Sequence, residues 1–187
     1  MKKISVLAFG ILFINLSVNS QITKGNWMLG GNADFSSTIN KSEAGQKTTV
    51  FNIQITPNIG YFIVDRLATG LKVSVGKEGV KATGTSRYST YTDANFGPFL
   101  RYYFLPFDQQ LNVLAEGVYQ YGVIAGDHDK VFKNTFSISG GPVVYFNPSV
   151  GLEFLIGYST FKYVGFAGSN GTVQVGLGLQ VHLEKDK

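Results

Sequence analysis

The 187-residue sequence contains no cysteine, so no disulfide can staple it, no thiolate can hold zinc, and no lipid anchor can be attached through sulfur. It has two histidines, which leaves little material for acid–base or metal chemistry. Charged residues make up only 15%, against about 25% in soluble domains, so part of the surface faces something other than water. The formal charge of +4 drops to +2 without Lys2 and Lys3, too mild a balance to argue for nucleic acid as a partner. Long apolar runs are missing as well. The longest, Ile4 to about Leu16, falls short of the roughly 20 residues a helix needs to cross a bilayer. Any crossing by this chain must therefore be made by a closed sheet.

That one apolar run lies in Met1 to Ser20, MKKISVLAFGILFINLSVNS, which has a basic start, an apolar middle and small or modest residues at Val18 and Ser20. This is the anatomy of a cleavable signal peptide. It is expected to end near residue 20 and to leave one barrel domain over residues 21–187.

Glycine is abundant, at 23 residues, and aromatics reach 14%. Eight segments alternate apolar and polar side chains, the mark of a strand with two different faces: about 26 to 37, 49 to 61, 67 to 77, 93 to 105, 110 to 122, 134 to 146, 149 to 160 and 171 to 183. The last, GTVQVGLGLQVHL, is the most regular. Connections after the second, fourth and sixth segments are tight (FIVDR, PFDQ, NP), while the others are longer and polar, as in NKSEAGQK at 40 to 47 and KEGVKATGTSRYSTYT at 77 to 92. Short turns at one end and long loops at the other, with an even strand count, describe an antiparallel up-and-down transmembrane barrel with both termini on the periplasmic side. A weak repeat, Pro57-x-Ile59-x-Tyr61, Pro98-x-Leu100-x-Tyr102 and Pro142-x-Val144-x-Phe146, marks three successive hairpins. Because proline removes a ladder hydrogen bond, local bulges are expected at these three positions.

The apolar parity carries large groups on most strands, among them Trp27, Leu29, Phe51, Ile55, Leu71, Phe96, Leu100, Phe154 and Ile156. They would overcrowd the narrow interior of an eight-stranded barrel, so this parity should face lipid. The other parity is small or able to pair, and it includes Lys72, Arg101, Glu116 and Glu153 at similar distances from the short turns. These four should form an ion-pair layer inside the barrel, since an unpaired buried charge is costly. Phe99, Leu114, Val118 and Leu155 also fall on the inner parity and are read as core filler, while Gly176 and Gly178 should leave volume for long side chains such as Arg101. Trp27, Tyr61, Tyr102, Phe104 and Phe146 lie near the short-turn end, and Phe35, Phe51, Phe96, Tyr119, Phe136 and Tyr158 toward the long loops, as two interfacial girdles would.

Together the phrases ITPNIGYFIVDRLATGLKVSVG (55 to 76), FGPFLRYYF (96 to 104), GGPVVYFNPSVGLEFLIGY (140 to 158) and the final GLGLQVHL (176 to 183) resemble the small outer-membrane β-barrel proteins, the OmpA-like or OmpX-like, porin-family barrels. Leu183 holds the place where such chains commonly carry an aromatic residue. The resemblance implies an eight-stranded all-β barrel inserted from the periplasm by the outer-membrane assembly machinery. It carries little information about activity.

No catalysis, cofactor or metal is expected. His128 in GDHDK adjoins two aspartates at a spacing poorly suited to converging on one ion, and His182 lies on the inner parity, where it should pack or hydrogen-bond against polar neighbours. The alternatives are a lipid-modifying enzyme, which would need a serine, a histidine and an acid meeting at membrane depth, and a soluble lipocalin-like barrel, which would need Val175, Leu177 and Leu179 inside. A monomer with a structural or surface-interaction role is the expected reading, its interior too full for a channel. Arg87, Tyr88 and Tyr91 form a candidate surface-binding loop, of a composition favoured in adaptable binding loops. Lys41, Lys47, Lys77, Lys81, Arg87, Lys130, Lys133 and Lys162 outnumber Glu43, Glu78, Asp127 and Asp129 across the long loops, an excess that suits lipopolysaccharide phosphates.

Overall fold

The computed structural model describes residues 22–41, 47–82, 88–106, 109–126 and 130–184. The expected signal peptide, Glu43, Arg87, Asp127, His128 and Asp129 lie outside the described residues. Eight strands follow in order: β1 Trp27–Lys41, β2 Lys47–Val64, β3 Leu67–Ala82, β4 Tyr88–Tyr103, β5 Leu111–Ala125, β6 Lys130–Asn147, β7 Val150–Tyr163 and β8 Asn170–Leu183. Each pairs antiparallel with its neighbours in sequence, and β1 pairs with β8 to close the barrel. Closure leaves no unpaired edge, which is the condition for placing backbone amides in hydrocarbon.

Alternation becomes two faces. Trp27, Leu29, Leu71, Leu100, Ile156, Val175, Leu177 and Leu179 point outward and are exposed, so the arrangement is the reverse of a lipocalin interior. The two aromatic sets lie as the sequence suggests, with Trp27 edge-on to Tyr61 near the short turns and Phe35 edge-on to Phe51 near the other end. Inside are Arg101, Glu153, Gln180, His182 and Asn112, all buried, together with Phe99, Leu114, Val118 and Leu155.

Two expectations need correction. First, no bulge forms at the prolines. Pro57 keeps its partner Gly31, Pro98 keeps Leu71 and Pro142 keeps Val113. Toward the other neighbour the ladder lapses, between Ile55↔Val75 and Asn58↔Lys72, between Phe96↔Tyr121 and Phe99↔Val118, and between Gly140↔Ile156 and Val143↔Glu153, and it resumes in the same register. A strand residue offers its N–H to one neighbour only, so a missing N–H weakens one ladder and spares the other. The register shifts fall instead beside short turns, between Phe62 and Val64 and between Tyr145 and Asn147.

Second, residues 77 to 92 are not one long loop. β3 and β4 stay paired through Lys77↔Thr92, Glu78↔Tyr91 and Lys81↔Tyr88, and β1 and β2 stay paired as far as Lys41↔Lys47. These hairpins continue beyond the point where regular apolar alternation ends in the sequence, because the ladder is made by backbone bonds.

With the apolar belt in lipid, an arginine on it should be strongly penalised. Leu177→Arg, at the centre of β8, is expected to lower the folding free energy in lipid vesicles by about 2–4 kcal/mol, read from denaturant titration. A loss below about 1 kcal/mol would mean that this face does not contact hydrocarbon.

Candidate functional site

Across the lumen the four expected charges meet. Arg101 on β4 and Glu116 on β5 are direct cross-strand partners. Nε of Arg101 donates to Glu116 Oε2 at 2.8 Å, and Nη1 donates to Glu153 Oε1 on β7 at 2.6 Å. Lys72 on β3 donates to Glu116 Oε1 at 2.5 Å and reaches Asn32 Oδ1 on β1 at 3.4 Å. Five strands are thus tied through a network whose four charged members are 0–4% exposed. Two cations face two carboxylates, so it is balanced.

Phe99 proves to be more than filler. Lys72 Nζ lies 5.4 Å and Arg101 Cζ 5.9 Å from its ring centroid, so the ring presents its negative face to both cations. Gly176 and Gly178 do leave volume, though for other residues than Arg101. A Cβ at Gly178 would come 2.8 Å from Glu153 Oε2, and one at Gly176 would collide with Asp34 Oδ1.

Below this layer, toward the short turns, the lumen is closed by Met28, Phe62, Ala68, Tyr103, Leu114 and Val143, with Ile22 packed into the same cluster. The Tyr103 hydroxyl accepts from Arg101 Nη1 at 3.3 Å and lies 3.4 Å from His182 Nε2. His182 is 2% exposed and stands edge-on to Phe62 and Tyr103, packing against neighbours as its parity suggests. Hydrogen bonds from Arg66 N to Ile22 O and from Gly25 N to Phe62 O fasten residues 22–26 beneath the floor.

Above the network the lumen widens into a cavity of about 580 Å³ that opens at the long-loop end. Its wall carries amides and hydroxyls, including Asn52, Gln54, Asn95, Gln120, Ser137 and Ser159, and aromatic rings at Phe161 and Tyr163. A second ion pair, unforeseen, sits here: Lys133 Nζ to Asp93 Oδ2 at 2.6 Å, with both residues buried. Lys133 therefore leaves the set of surface lysines, its ammonium lying 5.1 Å from the Phe161 centroid. The signal for this pair was phase: Asp93 is in step with Asn95 and Arg101, and Lys133 with Thr135 and Ser137, but both stand at strand boundaries that the apolar pattern places too tightly.

The candidate binding loop fares differently. Arg87 lies outside the described residues, and Tyr88 and Tyr91 are strand residues of β4, Tyr91 being half-buried opposite Glu78. Lys77, Lys130 and Lys162 are exposed at this end, whereas Glu78 lines the cavity. Among the described residues, no three of the histidines and acids come together as a metal site would require.

The fold is that of a transmembrane eight-stranded barrel. The crystal structure of the outer membrane protein OprG from Pseudomonas aeruginosa is similar, with a TM-score of 0.56 and 14% identity over 89% of this chain and 100% of that one. Lower scores are found for Neisserial surface protein A (NspA), 0.46 at 14% identity over 85% and 97% of the two chains, and for the N-terminal β-barrel domain of Pseudomonas aeruginosa OprF, 0.45 at 12% identity over 86% and 98%. No protein-family model matches the chain, and comparison with curated proteins gives no match.

Breaking the buried network should be costly, because deleting Glu116 leaves two buried cations to share the single carboxylate of Glu153. Glu116→Ala is expected to destabilise the barrel by about 3–5 kcal/mol. Lys133→Ala should cost clearly less, because both members of that pair line the cavity and removing the lysine side chain gives water from the open end a path to Asp93. Urea unfolding of the two variants in parallel decides the order, and equal losses would mean that the two pairs sit in equivalent environments.

Proposed function

We propose that the protein resides in the outer membrane as a monomeric structural or surface-interaction barrel of the small OmpA-like and OmpX-like kind, without a through-pore and without catalysis. One observation carries this reading: a continuous apolar belt surrounds an interior whose short-turn half is filled by the Arg101 network and the Met28–Phe62–Tyr103 floor. Lipid solvates the first, and the second leaves solutes no passage. The β1 start and the β8 end lie together at the short-turn end, which is the periplasmic side in this orientation, with the outer-membrane assembly machinery as the inserting partner. Outer-membrane lipids surround the belt. The exposed Lys77, Lys130 and Lys162 at the opposite end suit contact with lipopolysaccharide phosphates. A lipid-modifying activity finds no support at His182, which is buried inside the lumen rather than on the lipid face.

Cell fractionation tests the location. The protein is expected in the outer-membrane fraction with heat-modifiable gel migration, and recovery as a soluble secreted product would refute it. In planar bilayers the folded chain should give no stable, large conductance steps, and regular steps would overturn the closed interior. Replacing Lys77, Lys130 and Lys162 by glutamate should weaken lipopolysaccharide binding and flatten its salt dependence. An unchanged salt profile would remove these lysines from that role.

A further inference from the structure

The cavity above the network has a charge balance that does not close. Its wall holds four carboxylates, Asp34, Glu78, Asp93 and Glu116, and two lysines, Lys72 and Lys133. Lys133 is committed to Asp93. Lys72 is committed to Glu116, and that carboxylate with Glu153 is balanced by Lys72 and Arg101. Asp34 and Glu78 therefore line the cavity with no ion-pair partner among the described residues. Asp34 only accepts from the Asn32 side-chain amide.

The neutral groups lean the same way. Asn95 is 5% exposed and its amide nitrogen donates to Asp93 Oδ1 at 2.9 Å, which leaves its carbonyl oxygen unpartnered over the bare inner face of Gly122. The Asn52 carbonyl oxygen is likewise unpartnered. The cavity wall thus holds two carboxylates without a counter-charge and, packed within it, two buried amide oxygens without donors. Burying such groups without donors is costly. Its volume, about 580 Å³, falls within the roughly 300–1,000 Å³ typical of small-molecule sites. Phe161, which already faces the Lys133 ammonium, shows that an aromatic face suited to a cation lies in the same wall.

We propose that this cavity is a binding site for a small organic cation bearing primary ammonium groups, entering from the long-loop end and held by Asp34 and Glu78. An ammonium offers three donors and a positive charge, the complement of what the wall lacks. A bare metal ion is the poorer fit, because no three acidic or histidine groups converge here among the described residues. The network beneath makes the cavity a dead end, so the cation is retained rather than conducted.

The test is calorimetric titration of the full chain, folded into detergent micelles at low salt, with putrescine as the probe and glucose and magnesium chloride as comparisons. Saturable putrescine binding is expected, with no response to glucose and no displacement by equimolar magnesium. The double variant Asp34→Asn, Glu78→Gln, nearly isosteric with the parent, should weaken putrescine binding about tenfold or more. Gln54→Lys gives a second reading, because Gln54 pairs with Asp34 in register, one inward position from Asn52, the partner of Glu78. A tethered ammonium there should abolish binding in a barrel whose heat-modifiable migration reports normal folding. Absence of putrescine binding, binding unchanged in both variants, or equal displacement by magnesium would overturn the proposal.

Discussion

Everything else in this barrel is arranged around the requirement that Arg101, buried completely, never lack a counter-charge. A guanidinium in a low-dielectric lumen is tolerable only when carboxylates meet it with good geometry, and here Glu116 and Glu153 do so from two different strands. That requirement reaches the sheet as a whole. If β4 slipped by one residue against its neighbours, every side chain would change face, and Arg101 would be turned toward lipid while Leu100 entered the lumen. The ion pairs thus specify register as well as filling space. They also explain the small residues opposite them, since Gly178 gives Glu153 its place, and they explain Phe99, an aromatic on the polar face that two cations cover.

The outer face obeys a different rule. Lipid makes no demand for shape complementarity between neighbouring strands, so Leu, Ile, Val and Phe recur there in no fixed pairing. What lipid does demand is that backbone polar groups be satisfied within the sheet. The three prolines stand on this outer face, and each withholds its N–H from one neighbour only. Because the opposite ladder of the same strand is unbroken at each of them, β2, β4 and β6 keep their places, and the lapses are confined to two successive pairs.

How legible this was in the sequence follows from which physical signals a sequence writes down. Strand alternation records the face of each residue, so Lys72, Arg101, Glu116 and Glu153 could be placed inside together, and the eight-stranded closed barrel could be read from the spacing of turns. Alternation records depth but not direction across the lumen. It could not say that Lys72 on β3 would meet Glu116 two strands away, nor that Gly176 would shelter Asp34 in place of Arg101. The signal also fades where the apolar alternation ends. Residues 77 to 82 and 88 to 92 continue the ladder without an apolar stripe, so Tyr88 and Tyr91 read as loop, and Asp93 and Lys133 stood at the margins of their strands when they are in fact a buried pair.

The two ends of the barrel are built on opposite terms. At the short-turn end the lumen is apolar and aromatic, sealed by Ile22 and by Met28, Phe62 and Tyr103, with His182 wedged among rings. At the other end the hairpins run on as paired strands whose inner faces are amides, hydroxyls and the unmatched carboxylates of Asp34 and Glu78. Stability that holds the fold together is concentrated in the lower half, where burial is deepest and the charges balance. The upper half can then carry groups that are poor for stability, such as two carboxylates without cations, because water at the open mouth lowers their cost. Residues unfavourable to folding persist where the rest of the structure over-determines them, and in this molecule they line an interior cavity that opens at the long-loop end.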